Sequence, residues 1–333
     1  KIMFQMMNEA RIFVGNQGLA VSSAAYMHAI TYAKNRVQGA HVTQMLNPEA
    51  KSVNIIQHPD VRRMLLWMKS NVEAMRMISY FVGYNLDYMH VADGEAKKEA
   101  QALVEIMIPI CKAGNTDLSW LVTAEACQVY GGYGYCSDYP VEQLARDSKI
   151  LSIYEGTNGI QSMDLTMRKI LMNPEQYNYV VLKKHIMATC AKAKGVVEDK
   201  YIDLVAKGVE KMDEVIKKMK EQMAGGKFLH LFSAATPLQV SFRFLTHAWM
   251  HLWALALATP KMKALVGDKK GPERDALLKD NAEAAYYSGK VLSAQFFIGN
   301  EFQRYFGQID YLLSDEAAVV KTSDEIFTGA PAE

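Results

Sequence analysis

Long stretches of helical period alternate along the chain with short polar or glycine-rich breaks. Between residues 4 and 36, apolar or small side chains recur at Met7, Ala10, Val14, Leu19, Ala20, Ala24, Met27 and Ile30. That spacing is close to the helical repeat and predicts one long helix. Gly15 and Gly18 lower its propensity but allow a neighbouring helix to come close. Residues 37–57, with Gly39 and Pro48, read as a loop. Pro59 then suits the first turn of a second helix. This helix turns Val61, Leu65, Met68, Val72, Met75, Ile78, Val82 and Leu86 inward and ends near Gly94. A third helix is expected from about Glu95 to Tyr130, kinked at Pro109, loosened at Gly114 and Asn115, and restarted by Asp117. Residues 141–149 form a short helix, residues 151–155 a brief extended piece, and residues 157–171 a further helix.

Asn173-Pro174 marks a boundary, beyond which Lys, Glu and Met become more frequent. Helical patterns follow at residues 181–194, 199–223, 238–257 and 272–313, separated by Gly225-Gly226, Thr259-Pro260 and the stretch from Gly267 to Gly271. Residues 315–333 are polar and read as a wrapped or frayed tail. No strand-rich segment and no internal repeat stands out. The expected fold is all-α. An antiparallel four-helix bundle over residues 1–172 is followed by a second helical bundle over residues 173–333.

With 333 residues, half of them hydrophobic, the chain can bury a substantial core. Its 37 Lys and Arg nearly balance 36 Asp and Glu, so it has no electrostatic footprint for nucleic acid. Cys111, Cys127, Cys136 and Cys190 are scattered, without zinc-like spacing, and read as reduced thiols of a cytoplasmic protein. No apolar run is long enough to span a bilayer. The opening Lys1-Ile-Met-Phe lacks a signal pattern and begins as if in mid-domain, which suggests the later part of a longer protein.

The candidate chemistry gathers between Gln128 and Gln161. Glu155 follows Ile153 and Tyr154 and precedes Gly156-Thr157, which resembles a helix start. A carboxylate beside apolar groups is a stronger base once ionised. One at a helix mouth equally serves to complement the helix N-terminus. Gly131 and Gly132 after Gln128 permit a tight turn whose amides can face a phosphate, or simply stop a helix. Arg36 can clamp a pyrophosphate or complement a helix end. The pair Asn8 and Arg11 can hold a ligand or belong to a solvated face. His247, Trp249, His251 and Trp253 invite a metal reading, but no acidic third ligand is near in sequence, and core packing explains them better. The 20 methionines read as core filler.

Taken in order, these motifs resemble the acyl-CoA dehydrogenase family. They are Asn8-Glu-Ala-Arg11, Asn35-Arg36, Gln57-His58, Gln128-Val-Tyr-Gly-Gly132, Tyr139-Pro-Val-Glu, Arg146-Asp147 and Ile153-Tyr-Glu-Gly-Thr-Asn-Gly-Ile-Gln161. The resemblance covers roughly residues 4–171, and the helical extension after it is similar to the long bacterial branch. It implies an FAD-dependent α,β-dehydrogenation of an acyl-CoA thioester in fatty acid β-oxidation. Glu155 would take the α-proton while flavin accepts the β-hydrogen. Asn8, Arg11 and Gly156 would touch the substrate. Arg36, Gln38, Gln57, His58, Gln128, Gly131, Gly132, Thr157 and Gly159 would contact FAD, with Arg36, Gln128 and Gly132 reaching the cofactor of the neighbouring subunit of a homodimer. An electron-transfer flavoprotein would take the electrons.

Several positions depart from the family pattern. Asn8 stands where an acidic residue is usual, Gly159 where a side-chain amide is common, and the stretch from Arg36 to Gly39 is one residue short. Some relatives carry the base at the position of Ala10, so its identity here favours Glu155, although Glu9 lies alongside. The family's N-terminal helical and middle β domains are missing from the sequence, so the fragment alone should be inactive. Competing readings are an acyl-CoA oxidase and a non-catalytic helical assembly module. A DNA-associated relative is disfavoured by the balanced charge.

Overall fold

A computed structural model of the chain describes residues 2–328. Its first half is built on three long helices: α1 (Ile2–Asn35), α2 (Pro59–Val91) and α3 (Gly94–Tyr130). They are followed by α4 (Pro140–Lys149) and α5 (Asn158–Met163). Only Ala92 and Asp93 separate α2 from α3, so the two run antiparallel. The second half holds α6 (Tyr177–Ala193), α7 (Asp199–Ala224), α8 (Phe228–Ser233), α9 (Ala235–Val266), α10 (Gly271–Asp280), α11 (Ala282–Phe296), α12 (Gln303–Leu313) and α13 (Asp324–Thr328). The all-α expectation is borne out.

α1 and α3 pack without an intervening layer of large side chains. A Cβ at Gly15 would lie 2.9 Å from Cys111 Sγ, and one at Gly18 2.9 Å from the Asn115 carbonyl oxygen. One apolar core, formed by α1, α2, α3 and α4, contains Leu19, Ala25, Trp67, Met68, Leu118 and Val141. A larger one runs from Ile12, Ile78 and Met107 through Leu182 and Val205 to Phe242, Trp249 and Ile309. It therefore continues across residue 173. α9 is its axle, packing on α2, α3, α5, α6, α7, α11 and α12.

Five local expectations are corrected. Residues 37–57 are not plain loop. β1 (Val37–Ala40) and β2 (Ser52–Asn54) pair antiparallel, with Val37 opposite Asn54. The ribbon is tied to the end of α1 where the Ile55 amide donates to the Arg36 carbonyl at 2.8 Å. α3 is helical throughout, with no break at Gly114, Asn115 or Asp117. Tertiary packing overrides propensity there: Asn115 Nδ2 donates to the Gly15 carbonyl and the Arg243 stem lies over Gly114.

Residues 151–155 are not extended. A 3-10 turn (Ile150–Ser152) leads to Glu155 in the left-handed region, φ 56°. Pro260 does not end α9, because Leu255, Ala258 and Val266 keep its apolar face buried. The expected helix at 272–313 is three helices, with Asn281 capping α11 and a π-helical stretch (Phe297–Glu301) before α12. Beyond α12, a 3-10 turn (Val319–Lys321) and α13 lie within the expected tail, and residues 329–333 fall outside the described residues.

Candidate active site

Most of the side chains singled out in the sequence fall in two clusters, one beside the first half of α1 and one where α1 ends. Arg11 and Arg36 are 25 positions apart, about 37 Å along a helix rising 1.5 Å per residue.

The first cluster surrounds Glu155. The hinge before α5 turns through two successive left-handed residues, Glu155 (φ 56°) and Gly156 (φ 83°). Thr157 then caps α5, its Oγ1 accepting from the Ile160 amide at 3.2 Å. Glu155 is half-buried, and among the described residues its carboxylate makes no hydrogen bond or ion pair. Tyr154, just before it, is anchored by its hydroxyl donating to Gln17 Oε1 on α1. The positive φ of Gly156 disfavours a side chain, and a Cβ there would lie 2.8 Å from Gln161 Nε2 and 3.9 Å from an Arg11 guanidinium nitrogen. Among the described residues the buried Gln161 amide has no partner for either of its polar atoms.

Arg11 is buried and faces Asp164 at 3.6 Å, and Asp164 also meets Arg168 at 3.3 Å. Asn8 sits half-buried three residues before Arg11, and Gly159 is exposed. The structure thus brings Glu155, Gly156 and Arg11 together, with Thr157 on the same hinge.

Sequence reasoning missed what lies beneath this hinge. Lys112 of α3 has no exposed surface. Its ammonium donates to the Gly156 carbonyl at 2.8 Å and to Asn158 Oδ1 at 2.9 Å. Asn158 Nδ2 returns to α3, donating to Asp117 Oδ1 at 2.7 Å and Thr116 Oγ1 at 2.9 Å. Burial lowers the Lys112 pKa to about 8, opposed by Asp117 and Glu155 and assisted by Arg11. The available signal was a lone lysine inside an apolar run, Ile106 to Ala113.

The second cluster lies where α1 ends. Arg36, Gln38, His58, Gln128 and Gly131 line a cavity of about 330 Å³. A neighbouring cleft of about 810 Å³ shares Gln128 and Gly131 and adds Gly132 and Arg146. Gly131 takes φ 62°, which ends α3, and Cβ atoms built on Gly131 and Gly132 would meet nothing within 4 Å. The Arg36 guanidinium lies over the Tyr133 ring, 5.3 Å from its centre, and makes no ion pair among the described residues. His58 Nε2 is 2.7 Å from the Gln38 carbonyl oxygen. Gln57 ends the preceding 3-10 turn and lines neither cavity.

A cavity of about 960 Å³, larger than either of these, touches neither cluster and is lined by α2, α9 and α11 with His185 of α6. His247 and His251 are core residues. His251 Nε2 is 2.9 Å from the Ser70 carbonyl oxygen, and its ring stacks on Phe297. Among the described residues no three His, Cys, Asp or Glu side chains converge as a metal site would need.

The sequence matches the model of the acyl-CoA dehydrogenase C-terminal domain over residues 1–170. The chain belongs to the acyl-CoA dehydrogenase family. A second family model, described as acetyl-CoA dehydrogenase C-terminal like, matches residues 182–323. The resemblance read from the motifs, including the helical extension, is therefore borne out.

A butyryl-CoA dehydrogenase of Syntrophomonas wolfei is 33% identical over 98% of this chain and 51% of its own length. A 3-methylmercaptopropionyl-CoA dehydrogenase of Ruegeria pomeroyi is 42% identical over 51% of this chain and 29% of its own length. An acyl-CoA dehydrogenase from Bacillus anthracis, solved in complex with FAD, shares the fold with TM-score 0.54 at 18% identity. That match covers 98% of this chain and 50% of the other. The chain thus spans about half the length, or less, of these relatives. Among its described residues, no helix is long and apolar enough to cross a membrane.

Proposed function

We propose that the chain is the C-terminal portion of an FAD-dependent acyl-CoA dehydrogenase, and that Glu155 is its catalytic base. The observation that carries the reading is the state of Glu155. It is a half-buried carboxylate without a hydrogen-bonding partner among the described residues, fixed on a left-handed hinge beside Arg11. Structural carboxylates at helix mouths are usually spent on backbone amides. This one is not, while the cap is supplied by Thr157.

In the proposed reaction the Glu155 carboxylate takes the proton from the α-carbon of an acyl-CoA thioester. The Glu155 backbone N–H supports the carbonyl oxygen as charge develops on it. The electrons of the broken Cα–H bond form the Cα=Cβ bond, giving the trans-2-enoyl thioester. FAD, when bound, accepts the β-hydrogen with its electron pair. Gly156, Asn8 and Arg11 would contact the substrate, a reading supported by the approach of the Arg11 guanidinium to Gly156.

The second cluster fits the cofactor's charged half. Among the described residues Arg36 is uncommitted to any carboxylate, two glycines face open space, and Gln128, Gln38 and His58 surround the same cavity. Arg36, Gln38, His58, Gln128, Gly131 and Gly132 would hold adenosine and pyrophosphate, with Gln57 behind them. Thr157 and Gly159 would face FAD from the first cluster. A separation of about 37 Å along α1 supports a homodimer in which the two clusters serve different cofactors. In this reading the enzyme is cytoplasmic, acts in β-oxidation, and passes electrons to an electron-transfer flavoprotein.

In the complete, flavin-loaded enzyme, Glu155→Gln should abolish acyl-CoA oxidation with an artificial acceptor while the flavin absorbance is kept. Turnover within about tenfold of the unmodified enzyme would exclude Glu155 as the base.

A further inference from the structure

Two consecutive left-handed residues, the first not glycine, are held at the hinge of Glu155. A non-glycine residue in that region is strained and persists only where its surroundings over-determine it. One such restraint comes from below. Lys112 Nζ grips the Gly156 carbonyl at 2.8 Å, and Asn158 closes the grip by bonding Lys112, Thr116 and Asp117.

Lys112 is completely enclosed, yet no carboxylate lies within ion-pair distance of its ammonium among the described residues. A fold seeking only stability would place an apolar side chain there. The opposite side of the same α3 turn is braced by α9, whose Arg243 stem sits 3.1 Å from a Cβ built on Gly114.

We propose that Lys112 is a positioning residue for the dehydrogenation. It fixes the peptide that follows Gly156, and through it the direction in which Glu155 presents its carboxylate to the substrate. This rests on the assignment of Glu155 as base. The clamp acts on the backbone and does not touch substrate. Its loss should therefore reduce the rate of the chemical step and leave substrate binding nearly intact.

The test compares the unmodified chain with Lys112→Met by hydrogen–deuterium exchange. Peptides covering residues 156–161 should exchange roughly tenfold faster or more, as expected for a lost charge-assisted bond, while α2 and α7 keep their protection. Asn158→Ala, which removes the other half of the grip, should give the same local signature and serves if Lys112→Met does not fold. In the complete flavin-loaded enzyme, Lys112→Met should lower kcat roughly tenfold or more with KM within about twofold.

Unchanged exchange at the hinge, acceleration spread evenly over the chain, or an unchanged kcat would each overturn the proposal. Full turnover by Glu155→Gln would refute the base instead, and would leave the exchange result intact.

Discussion

Burial pushes the Lys112 ammonium down to about 8, and that shift has a consequence for stability. In the unfolded chain the group titrates near 10.5. Below about pH 8 both states are protonated, and folding carries the full cost of enclosing the charge. Between about 8 and 10.5 the unfolded chain binds more protons, so the stability contributed by this group rises with pH. Above 10.5 the cost is gone. The whole effect is about 3 kcal/mol. Urea unfolding at several pH values should show the gap between the unmodified chain and Lys112→Met shifting by that order, in favour of the unmodified chain as pH rises. A gap independent of pH would mean that Lys112 titrates alike in the folded and unfolded chains, so that burial does not lower its pKa. Burial is the main cause of the shift, Asp117 on its own helix and Glu155 from the hinge oppose it, and Arg11 from α1 adds to it. Glu155 itself was legible because a carboxylate beside glycine at a helix start is a local pattern. Lys112 was not, because its partners lie 44 and 46 residues further on and no local spacing announces them.

At the scale of elements, the long helices were readable because their apolar period persists over many turns, so α1, α2 and α3 lie close to their expected bounds. The β1–β2 ribbon was invisible for the converse reason. Its seven residues are mostly exposed and show no in–out alternation, and its pairing depends on where α1 stops. Breaks were misjudged where packing decides. Gly114, Asn115 and Pro260 carry breaker residue types, yet each sits in a helix pinned by neighbours. Gly15 and Gly18 behave as their spacing suggested, as the seam along which α1 meets α3. At Gly18 the nearest atoms to an added Cβ are backbone, the Asn115 carbonyl at 2.9 Å and its carbon at 3.0 Å. Backbone cannot swing aside as a flexible side chain can, so the two helices must part. Gly18→Ala should therefore destabilise by about 1–3 kcal/mol despite the higher helix propensity of alanine. Chemical denaturation decides this, and a stabilised variant would show that the seam is looser than described.

At the scale of the whole molecule, the two segments matched by separate family models share one apolar core. Ile78 and Val82 of α2 and Ile106 and Met107 of α3 belong to the same buried cluster as Leu182, Phe242, Leu245 and Ile309. Trp249 of α9 is the clearest bridge. Its indole is buried, meets Phe81 of α2 edge-on at 5.1 Å, and donates to Thr189 Oγ1 of α6 at 2.8 Å. A core so distributed makes the unfolding of either half expose apolar surface of the other, which couples them energetically. Trp249→Ala removes a large buried aromatic and should cost about 3–5 kcal/mol. The coupling predicts how that loss is spread. Amides in the buried parts of α2 and α3 should lose as much exchange protection as those of α6 and α9, and calorimetry should show one transition whose midpoint has fallen. Loss confined to α6 and α9, or a second transition near the original temperature, would mean that the halves unfold independently. The Glu155 hinge would then draw no support from α9, and the bracing of α3 by Arg243 would be incidental to the site.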